Sequence, residues 1–271
     1  MTDISQITDR AALIRNRKRA AQAPALFLQQ EAAQELKDRL ELVNRRFTKP
    51  AIVTGWPDLW QSTWPDARIV ADDPVLELDK GAHDLVIHAL SLHWAADPLG
   101  QLIQARHALE PDGLCLAVMF GGRSLHELRS ALALAETRVT GGLSPRVLPM
   151  GEIRDIGGLL QRAGLALPVA DSVTLTASYS DAFALMRDLR AMGEGNALAG
   201  RLRKPTRRAV LHEAAQIYHD QFGNSQGRIP ATFEFIFLSG WAPDASQPQP
   251  LRPGSAQTRL ADALGGIESK L

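Results

Sequence analysis

The sequence predicts an α/β fold with a mostly parallel sheet, and three observations support this. Apolar runs typical of buried strands alternate with segments of helical periodicity. One strand–helix–strand unit is complete within residues 84–120. The last strand-like segment, 231–241, alternates in polarity and is expected to pair antiparallel. With 271 residues and a hydrophobic content of 45%, the chain can bury one sizeable core.

The first half predicts a helical segment followed by short strands. Residues 10–46 are expected to be helical, because apolar residues recur at helical spacing between charges. Residues 51–55 and 68–70 are short apolar runs and predict strands. Residues 84–90 have the continuous apolar character of a central parallel strand, which is buried on both faces.

The strand–helix–strand unit has clear boundary signals. Asp97 is expected to cap a helix that begins at Pro98, since proline suits the first helical position. Residues 110–113 (Glu-Pro-Asp-Gly) predict a turn, because proline fixes one dihedral angle and glycine permits a positive one. Residues 114–120 then form the second strand.

The second half predicts further helices and a final pair of strands. Ser124 and Glu127 have the spacing of a capping box, so a helix is expected to start there. Gly164 is expected to cap the end of another helix. The remaining expected elements are helices at 150–162, 181–192 and 206–222 and strands at 173–179 and 231–241.

Three parts of the chain are expected from composition. Residues 1–46 form an N-terminal helical segment, residues 47–242 form the α/β domain, and residues 243–271 form a flexible tail. The first part of this tail is rich in proline, glutamine and serine.

Composition also excludes several function classes. Basic and acidic residues both number 30, which argues against general nucleic-acid binding. The single cysteine, Cys115, excludes an internal disulfide framework and a cysteine zinc cluster.

No apolar run approaches the roughly 20 residues of a membrane span, and no secretory signal is expected, so the predicted compartment is cytoplasmic. The basic run 14–21 is interpreted as a solvated helix face, and no metal-ligand set is predicted.

The candidate site lies where strands end. In open parallel sheets, ligands bind outside the carboxyl ends of the strands. The segment 91–94 (Ser-Leu-His-Trp) and the pair Gly121–Gly122 both follow strand ends, so both are expected to line one crevice.

The order of elements is similar to the class I S-adenosylmethionine methyltransferase fold. Within it, the segments "DLVIHALSLHWAADP", "ALEPDGLCLAVMFGGRSLHELRSALALAE", "GGLSPRV", "MRDLRAMGEGNAL" and "FGNSQGRIPATFEFIFLSGW" resemble the respiratory complex I assembly factor 5 family. The similarity covers roughly residues 10–241. It implies a complex I subunit as protein partner and, from the family's mitochondrial members, hydroxylation of a protein arginine.

The cofactor loop departs from the pattern of that fold. A glycine-rich loop, roughly D-x-G-x-G-x-G, is expected after the first strand, because glycines let backbone amides approach the cofactor. Here only Gly55 remains, followed by Trp56–Pro57. The interval from Gly55 to Asp84 is also too short for two strands and a helix, so one strand–helix unit is expected to be lost. S-adenosylmethionine is therefore a doubtful cofactor, and either Asp72 or Asp73 could be the acid after the second or the third strand.

The candidate residues fall into two sets, and no catalytic residue is assigned. His93 and Trp94 could transfer a proton and stack on a ring, or they could only pack the turn. Gly121–Gly122 could hold an anion at a helix start, or only form a tight turn. The candidate cofactor-binding residues are Gly55, Asp72, Asp73, Leu90, Ser91, Leu92, His93 and Trp94. The candidate substrate- or partner-binding residues are Phe120, Gly121, Gly122, Glu127, Arg129, Gly142 and Ser144.

Three functions stay open from the sequence. The first is a complex I assembly factor, with or without arginine hydroxylation. The second is an active S-adenosylmethionine-dependent methyltransferase, which the fold permits. The third is a non-catalytic descendant of a methyltransferase that binds a partner through the former cofactor crevice.

Overall fold

The computed structural model describes residues 7–248, and there a six-stranded sheet lies between two layers of helices. The strand order is β2-β1-β3-β4-β6-β5; β1 to β4 run parallel, and β6 is antiparallel to β4 and to β5. The predicted fold class is confirmed. The strands are Pro50–Thr54 (β1), Arg68–Ala71 (β2), His83–Ala89 (β3), Leu109–Phe120 (β4), Ala166–Tyr179 (β5) and Ile229–Trp241 (β6).

The helices cover both faces of this sheet. They are Arg10–Ala20 (α1), Phe27–Glu41 (α2), Pro57–Thr63 (α3), Pro98–Ala108 (α4), His126–Thr140 (α5), Ile153–Arg162 (α6), Ala182–Ala191 (α7) and Arg208–Phe222 (α8). Helices α2, α3, α5, α7 and α8 pack on one face, and α4 and α6 pack on the other. Along β3, Leu85 and Ile87 belong to the first core and Val86 to the second, so this strand is buried on both faces.

The predicted strand–helix–strand unit is present, with one correction. The Asp97 carboxylate accepts a hydrogen bond from the Gly100 amide at 2.8 Å and caps α4. The expected turn at 110–113 is instead a bulge inside β4, and the positive φ falls on Asp112 rather than on the glycine. Three hydrogen bonds hold the bulge in place. The Asp112 amide donates to the Ala242 carbonyl, the Ala242 amide donates to the Gly113 carbonyl, and Arg45 donates to the Asp112 carboxylate.

The N-terminal segment also differs from expectation. Residues 10–46 form two helices, α1 and α2, rather than one. Pro24 interrupts them, because proline lacks an amide donor and disfavours helical geometry in the residue before it. The division at 46 and 242 stays a prediction, and residues 249–271 of the predicted tail lie outside the described residues.

The loss of a strand–helix unit is confirmed. Between β1 and β3 the structure has only α3 and β2. Because β2 pairs with β1, Asp72 occupies the position that follows the second strand of the fold. The chain from Asp72 to Ala82 then leads directly into β3, with neither helix nor strand.

The expected capping box at Ser124 and Glu127 is wrong. Helix α5 begins at His126, and the Ser124 hydroxyl exchanges hydrogen bonds with the backbone of Glu234. The buried Glu127 carboxylate accepts hydrogen bonds from the amide and the hydroxyl of Thr232. Strand β6 passes close to this helix start, so both side chains bind β6 instead of each other.

Helix α1 is fixed to the sheet by ion pairs. Arg17 Nη1 lies 2.7 Å from Asp72 Oδ2, and Arg10 Nη2 lies 2.8 Å from Asp72 Oδ1. Burial alone would raise the pKa of Asp72, but the charges and hydrogen bonds of Arg17 and Arg10 lower it to about 2. The run 14–21 is therefore not wholly a solvated face: Arg17 is buried, whereas Arg15, Lys18 and Arg19 are exposed.

The Asp72→Asn substitution tests this attachment. At pH 7 it is expected to lower the free energy of unfolding by about 3–5 kcal/mol, because Arg17 stays buried without a charge partner. The folded-state pKa of Asp72 is about 2, below its ordinary 3.8. Its stabilising contribution is thus full above pH 3.8 and is lost as the pH falls towards 2, so the deficit should shrink over that range. Urea unfolding at several pH values measures this, with the exposed Asp66→Asn as control; a deficit that does not change with pH contradicts the pairing.

The Thr232→Val substitution tests the contact between α5 and β6. It keeps the side-chain shape and removes the hydroxyl donor from the buried Glu127 carboxylate, so we expect a loss of about 1–3 kcal/mol in the free energy of unfolding. Thr174→Val, on the exposed side of β5, is the matched control and should change it little. Equal effects of the two substitutions in urea unfolding would contradict this role.

Candidate functional site

The predicted site segments meet at one edge of the sheet. Gly55 follows β1, Asp72 follows β2, Leu90 follows β3 and Gly121 follows β4, and these four strands are adjacent and parallel. Leu90 has a positive φ of 46°, a conformation that costs a non-glycine residue about 1–3 kcal/mol. Strained backbone conformations of this kind cluster at functional sites.

The crevice above β1 and β2 is filled by Arg17. A Cβ added at Gly55 would collide with the Arg17 guanidinium. A Cβ added at Gly193 would lie 2.9 Å from Arg17 Cγ and 3.1 Å from Trp56 Cζ2. The two glycines are therefore needed to make room for the side chain of Arg17, which ends on Asp72.

These residues do not fit S-adenosylmethionine. In this fold the loop after the first strand holds the amino-acid part of the cofactor, and an acid after the second strand holds its ribose. Here Gly55 is covered by Arg17, and both oxygens of Asp72 accept hydrogen bonds from arginines of α1. The other candidate acid, Asp73, has a side chain 56% exposed and pairs with Arg10.

His93 and Trp94 lie beside this crevice and contact the carboxylate of Glu194, which is not among the predicted site residues. Trp94 Nε1 donates to Glu194 Oε2 at 2.6 Å, and His93 Nε2 lies 3.4 Å from the same oxygen. Burial alone would raise the pKa of Glu194, but His93, the charge of Arg17 and Trp94 together lower it. Glu194 is therefore ionised at neutral pH. His93 also packs edge-on against Phe120, with ring centroids 4.8 Å apart.

The other buried titratable groups nearby belong to the core. His88 lies between Gln101 and Ser91, and burial lowers its pKa to about 4, so it stays neutral at physiological pH. Burial raises the pKa of the Cys115 thiol to about 12, which makes it unreactive. His83 bonds to the Lys49 carbonyl. Both histidines are buried on β3.

A cavity of about 230 Å³ opens next to Trp94 and Glu194. It is smaller than the roughly 300–1,000 Å³ of small-molecule pockets, and it matches one long side chain. Of its charged residues, Arg146 is held by Glu136, and Arg190 is exposed. Its apolar lining comes mainly from Leu28, Phe120, Leu125, Leu132, Met150, Met186, Leu189, Met192, Leu211 and Phe233.

Gly121 and Gly122 do not form an anion site. Their amides already donate to the carbonyls of Glu234 and Gly151, at 2.8 and 3.1 Å. Added Cβ atoms would collide with the carboxylates of Glu234 and Glu152. Both amides are thus occupied by backbone carbonyls, and acidic side chains surround the pair.

Three charged side chains of α5, those of Glu127, Arg129 and Glu136, face inward rather than towards solvent. Glu127 and Glu136 are buried, and Arg129 bonds to the carbonyls of Gly122 and Ser124. They hold the loops around the site, and no exposed charged face is present at these positions. In the following loop, the Ser144 hydroxyl donates to Glu136 at 2.7 Å, and Gly142 is exposed.

Arg17 and Glu194 are central to this geometry, and neither is among the site residues predicted from the sequence. Arg17 lies in a basic run where nothing distinguishes it from its exposed neighbours. Glu194 lies in the loop 192–196, whose resemblance to the family was the available signal. Within residues 7–248 no group of three or more His, Cys, Asp or Glu side chains is placed to bind a metal ion. None of the helices described there is both long and apolar enough to cross a bilayer.

Comparison with known proteins agrees with this geometry. No family profile matches the chain. The arginine-hydroxylase NDUFAF5, mitochondrial, from Danio rerio is 36% identical over 231 residues, which cover 84% of this chain and 72% of the relative. For the five relatives so named, the match spans 44% to 72% of their lengths.

More distant proteins share the fold. A malonyl-[acyl-carrier protein] O-methyltransferase from Laribacter hongkongensis is 34% identical over 188 residues, 69% of this chain and 61% of its own length. The structure of a putative methyltransferase from Bacillus halodurans superposes with a TM-score of 0.50 at 12% identity, covering 77% of this chain and 99% of that one. On the match to the Danio rerio protein, the chain belongs to the family of the mitochondrial arginine-hydroxylase NDUFAF5.

Proposed function

We propose that this chain binds and hydroxylates an arginine of a protein partner, and that it does so without S-adenosylmethionine in its crevice. The relatives' name supports arginine as the target and hydroxylation as the reaction. The resemblance in the sequence supports a subunit of respiratory complex I as the partner, and an assembly step as the setting. The relatives are named as mitochondrial, and the cytoplasmic compartment of this chain stays a prediction.

One observation carries the proposal: the nucleotide crevice is filled, and the neighbouring cavity is open. Arg17 occupies the space over Gly55 and binds Asp72, where a methyl donor would have to lie. The cavity beside Trp94 keeps about 230 Å³ of space with an apolar wall. This arrangement favours a reaction on an inserted protein side chain over transfer of a methyl group from a nucleotide.

Hydroxylation inserts one oxygen atom of O₂ into a C–H or N–H bond of the arginine side chain. The other oxygen atom is reduced to water, which requires two electrons and two protons. Iron or flavin chemistry with a separate reductant ordinarily supplies these electrons. In this proposal the residues of the chain bind the side chain, orient it and exclude water from the cavity.

Binding of the partner without chemistry is the second candidate. The filled crevice supports it, because a fold that has lost its cofactor space can still use the adjoining surface. The two candidates make opposite predictions for the mass of the target arginine, so one experiment separates them.

Deleting the gene is expected to remove a 16 Da modification from one arginine of a complex I subunit, and restoring the wild-type chain should return it. Trp94→Ala removes a wall of the cavity and a donor to Glu194, so we expect at most about one tenth of the modification. Trp94→Phe, which keeps a ring, should retain more. Peptide mass spectrometry measures this. A gain of 14 Da would indicate methylation instead, and an unmodified arginine with impaired assembly would favour binding alone.

The wild-type chain is expected to give no binding heat with S-adenosylmethionine in the micromolar range, because the guanidinium of Arg17 occupies the crevice. Isothermal titration calorimetry on the purified chain measures this, with Trp94→Ala as a control for contacts at the cavity wall. Micromolar binding that Trp94→Ala weakens would contradict the proposal and support an ordinary methyltransferase.

A further inference from the structure

We propose that Glu194 binds the guanidinium group of the target arginine, with its side chain inserted into the cavity beside Trp94. The inference rests on the proposed function for the identity of the bound residue. It identifies Glu194 as the group that determines the specificity for arginine, and it gives the contacts that hold this carboxylate in place.

The Glu194 carboxylate is held in place and has acceptor capacity left. Oε2 accepts from Trp94 Nε1 at 2.6 Å and lies 3.4 Å from His93 Nε2. Among the described residues no hydrogen bond is made to Oε1, and Oε1 is not one of the enclosed polar atoms that lack a partner. Glu194 lines the cavity, so this oxygen has access to its open space. An ionised carboxylate accepts about four hydrogen bonds, and paired donors of an arginine suit it well.

Among the described residues no arginine or lysine forms a salt bridge with Glu194, whose side chain is only 10% exposed and whose contacts are Trp94 and His93. Arg17 and Arg10 both bind Asp72 instead. A buried uncompensated charge is unfavourable, and a guanidinium on Glu194 would compensate it. The charges and hydrogen bonds that lower the pKa of Glu194 keep it ionised for this contact.

The two arginines that line the cavity, Arg146 and Arg190, do not bind Glu194. Arg146 binds both oxygens of Glu136 and the Thr206 hydroxyl. Arg190 is exposed, and none of the described salt bridges involves it.

The cavity matches an arginine side chain in size and chemistry. Its apolar wall suits the three methylene groups of arginine, and the indole of Trp94 lies beside the carboxylate. A guanidinium near an indole face gains cation–π attraction. Lysine carries a compact ammonium group that cannot form paired parallel bonds to one carboxylate, so we expect arginine to be preferred.

The test uses the purified full chain and two small probes, N-acetyl-arginine amide and N-acetyl-citrulline amide. Citrulline has nearly the shape of arginine and no charge. The probes are titrated while the indole N–H resonance of Trp94 is followed by NMR. We expect the arginine probe to shift this resonance with saturation, and the citrulline probe to bind at least about tenfold more weakly.

Matched variants assign the effect to the carboxylate. Glu194→Gln should weaken the arginine probe about tenfold or more, and Glu194→Asp should weaken it less, because it keeps the charge. Glu41→Gln, an exposed acid at the end of α2, should have no effect. Equal affinity of the two probes for the wild-type chain overturns the inference, and this comparison decides even if a Glu194 variant fails to fold. Undiminished binding by Glu194→Gln overturns it as well.

The outcome can be separated from that of the proposed function, because the probes report binding without turnover. Selective binding that depends on Glu194 supports this inference even where no modified arginine is found in cells. A modified arginine together with equal binding of the two probes would leave the proposed function standing and refute the role of Glu194.

Discussion

The buried ion pair between Arg17 and Asp72 is the interaction on which the rest of the site depends. It fixes α1 across the carboxyl ends of the parallel strands, and it fills the space over Gly55. Two buried charges are stable only when paired with good geometry, so α1 is firmly attached while Asp72 is ionised. The same contact places a guanidinium over the loop that, in this fold, ordinarily holds a nucleotide.

This arrangement divides the edge of the sheet into two compartments with different chemistry. The compartment over β1 and β2 is occupied by a guanidinium of the chain itself. The compartment next to β3 and β4 is open, has an apolar wall, and presents the ionised Glu194. Of these two compartments, only the one next to β3 and β4 has open space. This fits a family named for a change to arginine rather than for methyl transfer.

Local sequence signals predicted most of the fold and only part of the site. Asp97–Pro98 marks a helix start that needs no distant partner, so the strand–helix–strand unit could be placed correctly. The capping box at Ser124 failed because β6, more than 100 positions away, offers closer partners. Arg17 and Glu194 could not be identified for the same reason. Their roles come from contacts with Asp72 and Trp94, distant in sequence, and neither residue stands out from its neighbours by type or spacing.

The most direct measurement is a crystal structure of the full chain grown with excess S-adenosylhomocysteine, the demethylated form of the methyl donor. We expect electron density for Arg17 against Asp72 and Gly55, and none for a nucleotide in the crevice. A nucleotide seated on Asp72 with the Arg17 side chain turned away would contradict it.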